Sequence, residues 1–248
     1  MEDNNESKVI LEIKDLYKSY GDKEVLKGLS LEVHEGEVFG LIGKNGIGKS
    51  TTIDCLVGSK TFNSGDITID GCSITKEPLL AKKKIGYVSS EPCLYEIMTG
   101  REYLTFIGSI YNLNQNIFEN NLKILLKKFN LTEEDLEYKT GTYSHGMKQK
   151  LCLIASLIHN PKVWVLDEPT VGLDVMVYKN LVGVMREFAS HGRTVFVTSH
   201  NLDMVSQICD RVAIVNNGVV CKLIDLKKEP YLRMKLSKIF FDTYGENQ

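Results

Sequence analysis

Residues 39–58 read FGLIGKNGIGKSTTIDCLVG, a glycine-rich run that ends on a lysine followed by hydroxyl side chains. Gly43, Gly46 and Gly48 let the chain wrap closely, so that backbone N–H groups point inward at phosphate oxygens. Lys49 supplies a point charge for β- and γ-phosphates, the Ser50 hydroxyl suits Mg²⁺, and Thr51 can reach an α-phosphate. The residues expected to touch nucleotide are Gly43, Lys44, Asn45, Gly46, Ile47, Gly48, Lys49, Ser50 and Thr51. The chemistry is the binding of ATP or GTP.

A second run, VWVLDEP at 163–169, delivers two acids at the end of a hydrophobic strand. In a parallel sheet that end is where ligands bind. Asp167 suits a water-mediated contact to Mg²⁺, and Glu168 suits the base or orienter of an attacking water. A third run, TYSHGMKQKLCLIASLIHNP at 142–161, puts Ser144, His145 and Gly146 before an amphipathic helix with Met147, Leu151, Ile154, Leu157 and Ile158 at helical spacing. Such a helix start attracts a second anion. A hydrolase reading of Ser144 with His145 fails, because neighbours at a helix start do not aim at each other and no third group orients them.

These residues need strands and helices to position them. The first 85 residues or so are strand-rich (VILEI, LSLEV, VFGLI, ITID), with a hairpin turn at Asp70-Gly71. From about Thr99 to Tyr138 the pattern is helical. Thr99 and Glu102 form a capping box, and Tyr103, Phe106, Ile107, Ile110 and Tyr111 share one face. A second helix carries Leu122, Leu125, Leu126 and Phe129, and a third is expected near Thr132. Beyond residue 160 strands and helices alternate, with helices near 175–190 and from about 201, which predicts a parallel, buried sheet with the helical stretch inserted between its halves. VAIV then enters an NNG hairpin. In the tail, Leu232, Leu236, Ile239 and Phe240 lie on one helical face that is expected to pack on its own domain.

At 248 residues the chain can bury a sizeable core, and a net charge of −2 leaves no electrostatic footprint for nucleic acid. No apolar run approaches the roughly 18 residues of a membrane-spanning helix, and the start, MEDNNESK, is the opposite of a signal peptide. The six cysteines form no Cys-x-x-Cys pair and read as small core residues in a reducing compartment. His34, His159 and His191 have no motif around them and read as surface or loop residues.

Taken together the runs resemble the ATP-binding subunits of ATP-binding-cassette (ABC) transporters. GKNGIGKST is similar to that family's Walker A loop, VWVLDE to its Walker B strand, YSHGM to its signature, and GLD at 172–174 to its D-loop with Asp174. VTSH places His200 at the switch-histidine position, and YKSYG places Tyr20 where an aromatic ring stacks on adenine. The resemblance implies an α/β fold with a P-loop NTPase (RecA-like) core, an N-terminal antiparallel β subdomain and an inserted α-helical subdomain. The cassette would span 8–225, with the insert at about 91–160 and a short helical tail at 226–248. It also implies catalytic roles for Glu168 and His200 on ATP, with Mg²⁺ held by Ser50 and, through water, by Asp167. Two cassettes, here two copies of the chain, would pair head to tail. The Ser144, His145 and Gly146 turn of one would then cap the other's ATP, and hydrolysis would drive a separately encoded membrane permease at the inner face of the cell membrane. The overall pattern is similar to bacterial ABC-2 and antibiotic-export cassettes.

Two places depart from the family's pattern. His145 and Met147 stand where the signature usually has glycine and glutamine. Ser90, in IGYVSSEP, stands at the Q-loop glutamine position, where a side chain two carbons longer normally reaches Mg²⁺ and the attacking water. Slow hydrolysis or looser coupling follows, unless a water bridges Ser90 or Glu91 substitutes. Two other readings stay open: a weakly hydrolysing regulatory ATP-binding module, and a soluble ABC ATPase with no transport role.

Overall fold

The computed structural model describes residues 8–170 and 175–245. The alternating run Val9–Tyr20 forms β1 and turns through Gly21 into its antiparallel partner β2, Lys23–His34. The apolar run Val38–Ile42 is β3, and past the glycine-rich loop Lys49–Leu56 forms helix α1. Strand β4, Ser64–Ile69, lies antiparallel to β1 and turns into the short β5, Cys72–Ser73. That turn is Asp70-Gly71, both at positive φ (47° and 78°), as a two-residue hairpin demands. These four strands make one sheet in the order β2-β1-β4-β5. A short helix, α2 (Pro78–Lys83), leads into β6, Ile85–Val88.

The expected capping box starts α3, Gly100–Ile110: the Thr99 hydroxyl accepts the Glu102 N–H at 3.1 Å, and the Glu102 carboxylate accepts the Thr99 N–H at 2.8 Å. The buried face differs from the expected one. Gly100, Tyr103, Leu104 and Gly108 are buried, while Phe106 and Ile110 are exposed. Gly108 faces the Phe118 ring, which an added Cβ would approach to 2.8 Å, so the glycines decide which side comes closest to the next helix. That helix, α4 (Gln115–Phe129), buries Leu122, Leu125, Leu126 and Phe129 as their spacing predicts. The third helix expected near Thr132 is a single 3₁₀ turn, Asp135–Glu137. It carries one buried apolar side chain, Leu136, too little to hold a longer helix in place.

Helix α5 spans His145–Leu157, followed by β7 (Val163–Asp167), α6 (Val175–Ser190), β8 (Thr194–Ser199) and α7 (Leu202–Ile208). Strands β9 (Arg211–Asn216) and β10 (Val219–Asp225) form the NNG hairpin, with Asn217 and Gly218 at φ 49° and 78°. The second sheet runs β10-β9-β3-β8-β7-β6 and is parallel apart from that hairpin. After a 3₁₀ turn, Pro230–Lys235, α8 (Leu236–Thr243) buries Leu236 and Phe240 on its own domain, as expected. Leu232 lies on the 3₁₀ turn, so the tail's apolar residues do not share one helix.

Alternate residues of the central strands point to two cores. Val38, Ile42, Trp164, Leu166, Val195 and Val197 meet the helices, whereas Phe39, Leu41, Val163, Val165 and Phe196 meet the antiparallel sheet. Each such side chain stabilises the fold by about 1.5–3 kcal/mol when fully buried. The reading of the cysteines holds only in part. Cys55 and Cys209 are buried, but Cys72 and Cys152 are half-buried, and Cys93, in a loop, and Cys221, on an edge strand, are exposed. His159 lies in the turn after α5, a loop position as expected, but is half-buried: its ring stacks on Tyr111 with centroids 3.6 Å apart, and its Nε2–H donates to the Ile85 carbonyl at 2.9 Å.

Candidate nucleotide site

The site begins where β3 ends. Gly43 is hemmed in: an added Cβ would lie 2.7 Å from Ile47 Cγ2 and 3.0 Å from the Val215 carbonyl. Gly48 sits at φ 117°, directly before α1, in a conformation that other residues rarely adopt. Lys49 is buried and curls back into the loop, donating from Nζ to the carbonyls of Gly43 (2.7 Å) and Lys44 (3.2 Å). Burial holds its pKa below the ordinary lysine value, while Glu168 and then Asp167 work against that shift. The loop is a closed cradle with a cation inside it.

The parallel register brings the acids to the same edge. Ile42 pairs with Ser199 of β8, and Thr198 of β8 pairs with Asp167 of β7. Asp167 is buried and accepts the Thr198 hydroxyl at 2.5 Å, with Ser50 close by. Burial raises its pKa, and those two hydroxyls pull it back.

Glu168 follows at φ 47°, a left-handed conformation that costs a non-glycine residue roughly 1–3 kcal/mol. Its N–H is held by the Thr198 carbonyl (3.1 Å) and hydroxyl (3.2 Å). The kink turns the carboxylate inward. Oε1 lies 3.9 Å from Lys49 Nζ, while Oε2 accepts the His200 N–H at 3.2 Å and lies 2.9 Å from His200 Nδ1. Lys49, Ser50, Asp167, Glu168 and His200 thus form one contiguous cluster.

Other expected site residues stand outside that cluster. Tyr20 ends β1, exposed, with the ammonium groups of Lys18 and Lys60 at 4.9 and 5.5 Å from its ring centre. Ser144 and His145 are exposed at the start of α5, and the Ser144 hydroxyl accepts the Met147 N–H of its own helix at 3.3 Å. No Cβ added to Gly146 would meet an atom within 4 Å, so this turn is open to an approaching group. Ser90 is half-buried just after β6, beside a loop in which Ser89 Oγ donates to the Glu91 carbonyl at 2.6 Å. Asp174 lies outside the described residues.

Two residues that the sequence did not single out belong to the site's frame. Thr198 ties the acid pair together; its only signal was a hydroxyl following the apolar run Val195–Val197. Gln149, buried on α5, donates from Nε2 to the Pro169 carbonyl at 3.2 Å and so links the Ser144 helix to the turn after Glu168.

A glycine-rich loop opening into a helix, with an acid pair at the end of a parallel strand one place removed in the same sheet, defines a P-loop nucleotide-binding α/β protein. The ABC transporter family model matches residues 26–171. The linearmycin resistance ATP-binding protein LnrL of Bacillus subtilis (strain 168) is 38% identical over 209 residues, which are 84% of this chain and 67% of that protein. The Nod factor export ATP-binding protein I of a Rhizobium species is 35% identical over 212 residues, 86% of this chain and 69% of its own length. A solved ATP-binding subunit of an ABC transporter superposes with a TM-score of 0.88 at 31% identity, covering 95% of this chain and 99% of that one. The chain belongs to the ABC transporter family, as one of its ATP-binding, ATP-hydrolysing cassettes.

Proposed function

We propose that this cassette powers an exporter through a separate membrane permease, by pairing with a second copy across ATP and hydrolysing it. The observation that carries the catalytic part is Glu168 held between Lys49 and His200. In this reading Glu168 takes the proton of the attacking water. His200 orients that carboxylate and contacts the γ-phosphate, and Lys49 leaves the loop carbonyls to bind β- and γ-oxygens. The stacking ring would be Tyr20, with Gly43 to Thr51 around the phosphates.

The residues fit Mg²⁺. The Ser50 hydroxyl is close enough to Asp167 to hold that carboxyl's pKa down against burial, and the two are an oxygen pair suited to Mg²⁺. No group of three or more His, Cys, Asp or Glu among the described residues could cage a metal by itself. That matches an ion that shares its shell with phosphate and water. When bound it neutralises charge on the phosphate oxygens.

Three features support the transport reading. Ser144, His145 and Gly146 present an open helix start to solvent, as a turn that caps a neighbour's nucleotide must. Tyr95, Ile97, Phe106 and Ile110 are exposed; Ile110 lines a cleft of about 490 Å³ with Tyr87, Cys93, Tyr103 and Ile107, and the Tyr95 ring lies beside Tyr103 and Phe106, an apolar surface for a permease. No described helix is long and apolar enough to cross a membrane, so a spanning partner would anchor the cassette to the inner face. The relatives named for linearmycin resistance and Nod factor export favour the outward direction.

A sizing column tests the pairing. Glu168→Gln, which keeps ATP bound, is expected to run as a dimer only with Mg-ATP, and adding Ser144→Arg is expected to abolish the shift. Tight ATP binding with no dimer would sink the homodimer and direct the search to a different partner cassette. Ser90 favours one second reading, a regulatory module that binds ATP and barely turns over. Mg²⁺-dependent hydrolysis lost in Glu168→Gln would eliminate it.

A further inference from the structure

The tail returns to the phosphate loop. Helix α8 packs Leu236 and Phe240 into the core shared by β9 and α7, and Arg233, just before it, donates to the Ser206 carbonyl of α7. Tyr244 then caps α8 beside Phe240, with ring centres 5.0 Å apart. Its hydroxyl does two things at once: it donates to the Val215 carbonyl of β9 at 2.5 Å and accepts the Lys44 N–H of the phosphate loop at 3.2 Å. The Lys44 ammonium lies 4.6 Å from the centre of the Tyr244 ring. A Cβ on Gly43 would stand 3.3 Å from the same hydroxyl. Burial raises the phenol's pKa from a value at which it already keeps its proton at neutral pH.

The Lys44 residue is therefore gripped on both sides. Tyr244 holds its N–H, and Lys49 holds its carbonyl at 3.2 Å. The first is a contact across 200 positions of sequence. Because Lys49 is the residue that must turn toward phosphate, the Tyr244 contact, which does not involve Lys49, remains to hold the start of the loop when Lys49 lets go.

We propose that Tyr244 is a positioning residue for nucleotide: through its hydroxyl the tail holds the Gly43–Lys44 end of the phosphate loop in its binding shape. The proposal rests on the reading of residues 43–51 as the phosphate loop. A loop already ordered loses less freedom when ligand binds, so the tether tightens binding without touching the reacting atoms. The same tail packs on α7, whose cap follows His200, so its docking joins the two ends of the site.

Tyr244→Phe keeps the ring stacked on Phe240 and removes both hydrogen bonds. The expected result is a rise in Kd for a fluorescent Mg-ATP analogue, and in KM for ATP, of roughly 3- to 10-fold, with kcat within about twofold. Amide hydrogen exchange in the peptide spanning Lys44 should speed up in the same variant. Tyr231→Phe, a tail tyrosine bonded to Glu229, serves as the control and should match wild type. Wild-type Kd and KM in Tyr244→Phe, or a lowered Tm with unchanged nucleotide affinity, would overturn the proposal and leave Tyr244 a purely structural residue. Lys49→Ala separates the two readings. If wild type and Lys49→Ala bind nucleotide equally, the phosphate-loop reading itself falls; if only Tyr244→Phe matches wild type, the tether alone falls.

Discussion

His200 meets Glu168 twice on one oxygen: its backbone N–H lies 3.2 Å and its ring Nδ1 2.9 Å from Glu168 Oε2. Two contacts on Oε2 leave Oε1 as the oxygen that faces Lys49. The histidine therefore decides how the carboxylate is presented.

Replacing His200 with alanine keeps the backbone contact and removes the ring. The expected result is a fall in kcat of about 10²-fold or more, with little change in Kd for ATP. Phosphate release and nucleotide titration on the same sample check both numbers. Unchanged turnover would remove His200 from the reaction.

Lys49→Ala removes the cation and the hydrogen bonds it donates to the Gly43 and Lys44 carbonyls. Charge-assisted hydrogen bonds contribute about 1.5–3 kcal/mol, so Kd for Mg-ATP should rise about 10- to 100-fold. Isothermal titration measures it directly. A smaller but measurable loss would mean that the loop N–H groups dominate binding.

Ser90→Gln restores reach at the half-buried position after β6. Mg²⁺-dependent hydrolysis is expected to rise several-fold over wild type, while Ser90→Ala should change it little. Equal rates for all three proteins would show that this position no longer takes part in the chemistry.

His159 makes the fold sensitive to acid. Its Nε2–H donates to Ile85, while its buried Nδ1 has no partner, so a second proton would find no acceptor. Burial drives its pKa down to about 4 from an ordinary histidine value near 6.5. Between those values the unfolded chain binds more protons than the folded one, so stability rises with pH. The contribution is complete above pH 6.5 and is lost as pH falls toward 4, by at most about 3 kcal/mol. His159→Phe, which can still stack on Tyr111, should show a shallower fall in Tm over that window. Parallel curves for the two proteins would rule the histidine out as the cause.

The phosphate loop was legible from residues 43–51 alone, because a cradle of backbone N–H groups needs glycines at fixed short spacings and one contiguous segment contains it all. The buried strands and the capping box of α3 were equally local, since alternation and helical caps act over a few residues. What only the tertiary structure decided is who meets whom. The order β3-β8-β7 and its register put Thr198 under Asp167 and His200 on Glu168, partners 31 and 32 positions apart. Close packing of Gly108 on Phe118 turned Phe106 and Ile110 outward against their helical pattern, and the stack on Tyr111 drew His159 inward. Tyr244 reached Lys44 only because α8 docked beside β9. Spacing encodes what one segment can hold, whereas long-range contacts follow from how sheets and helices pack.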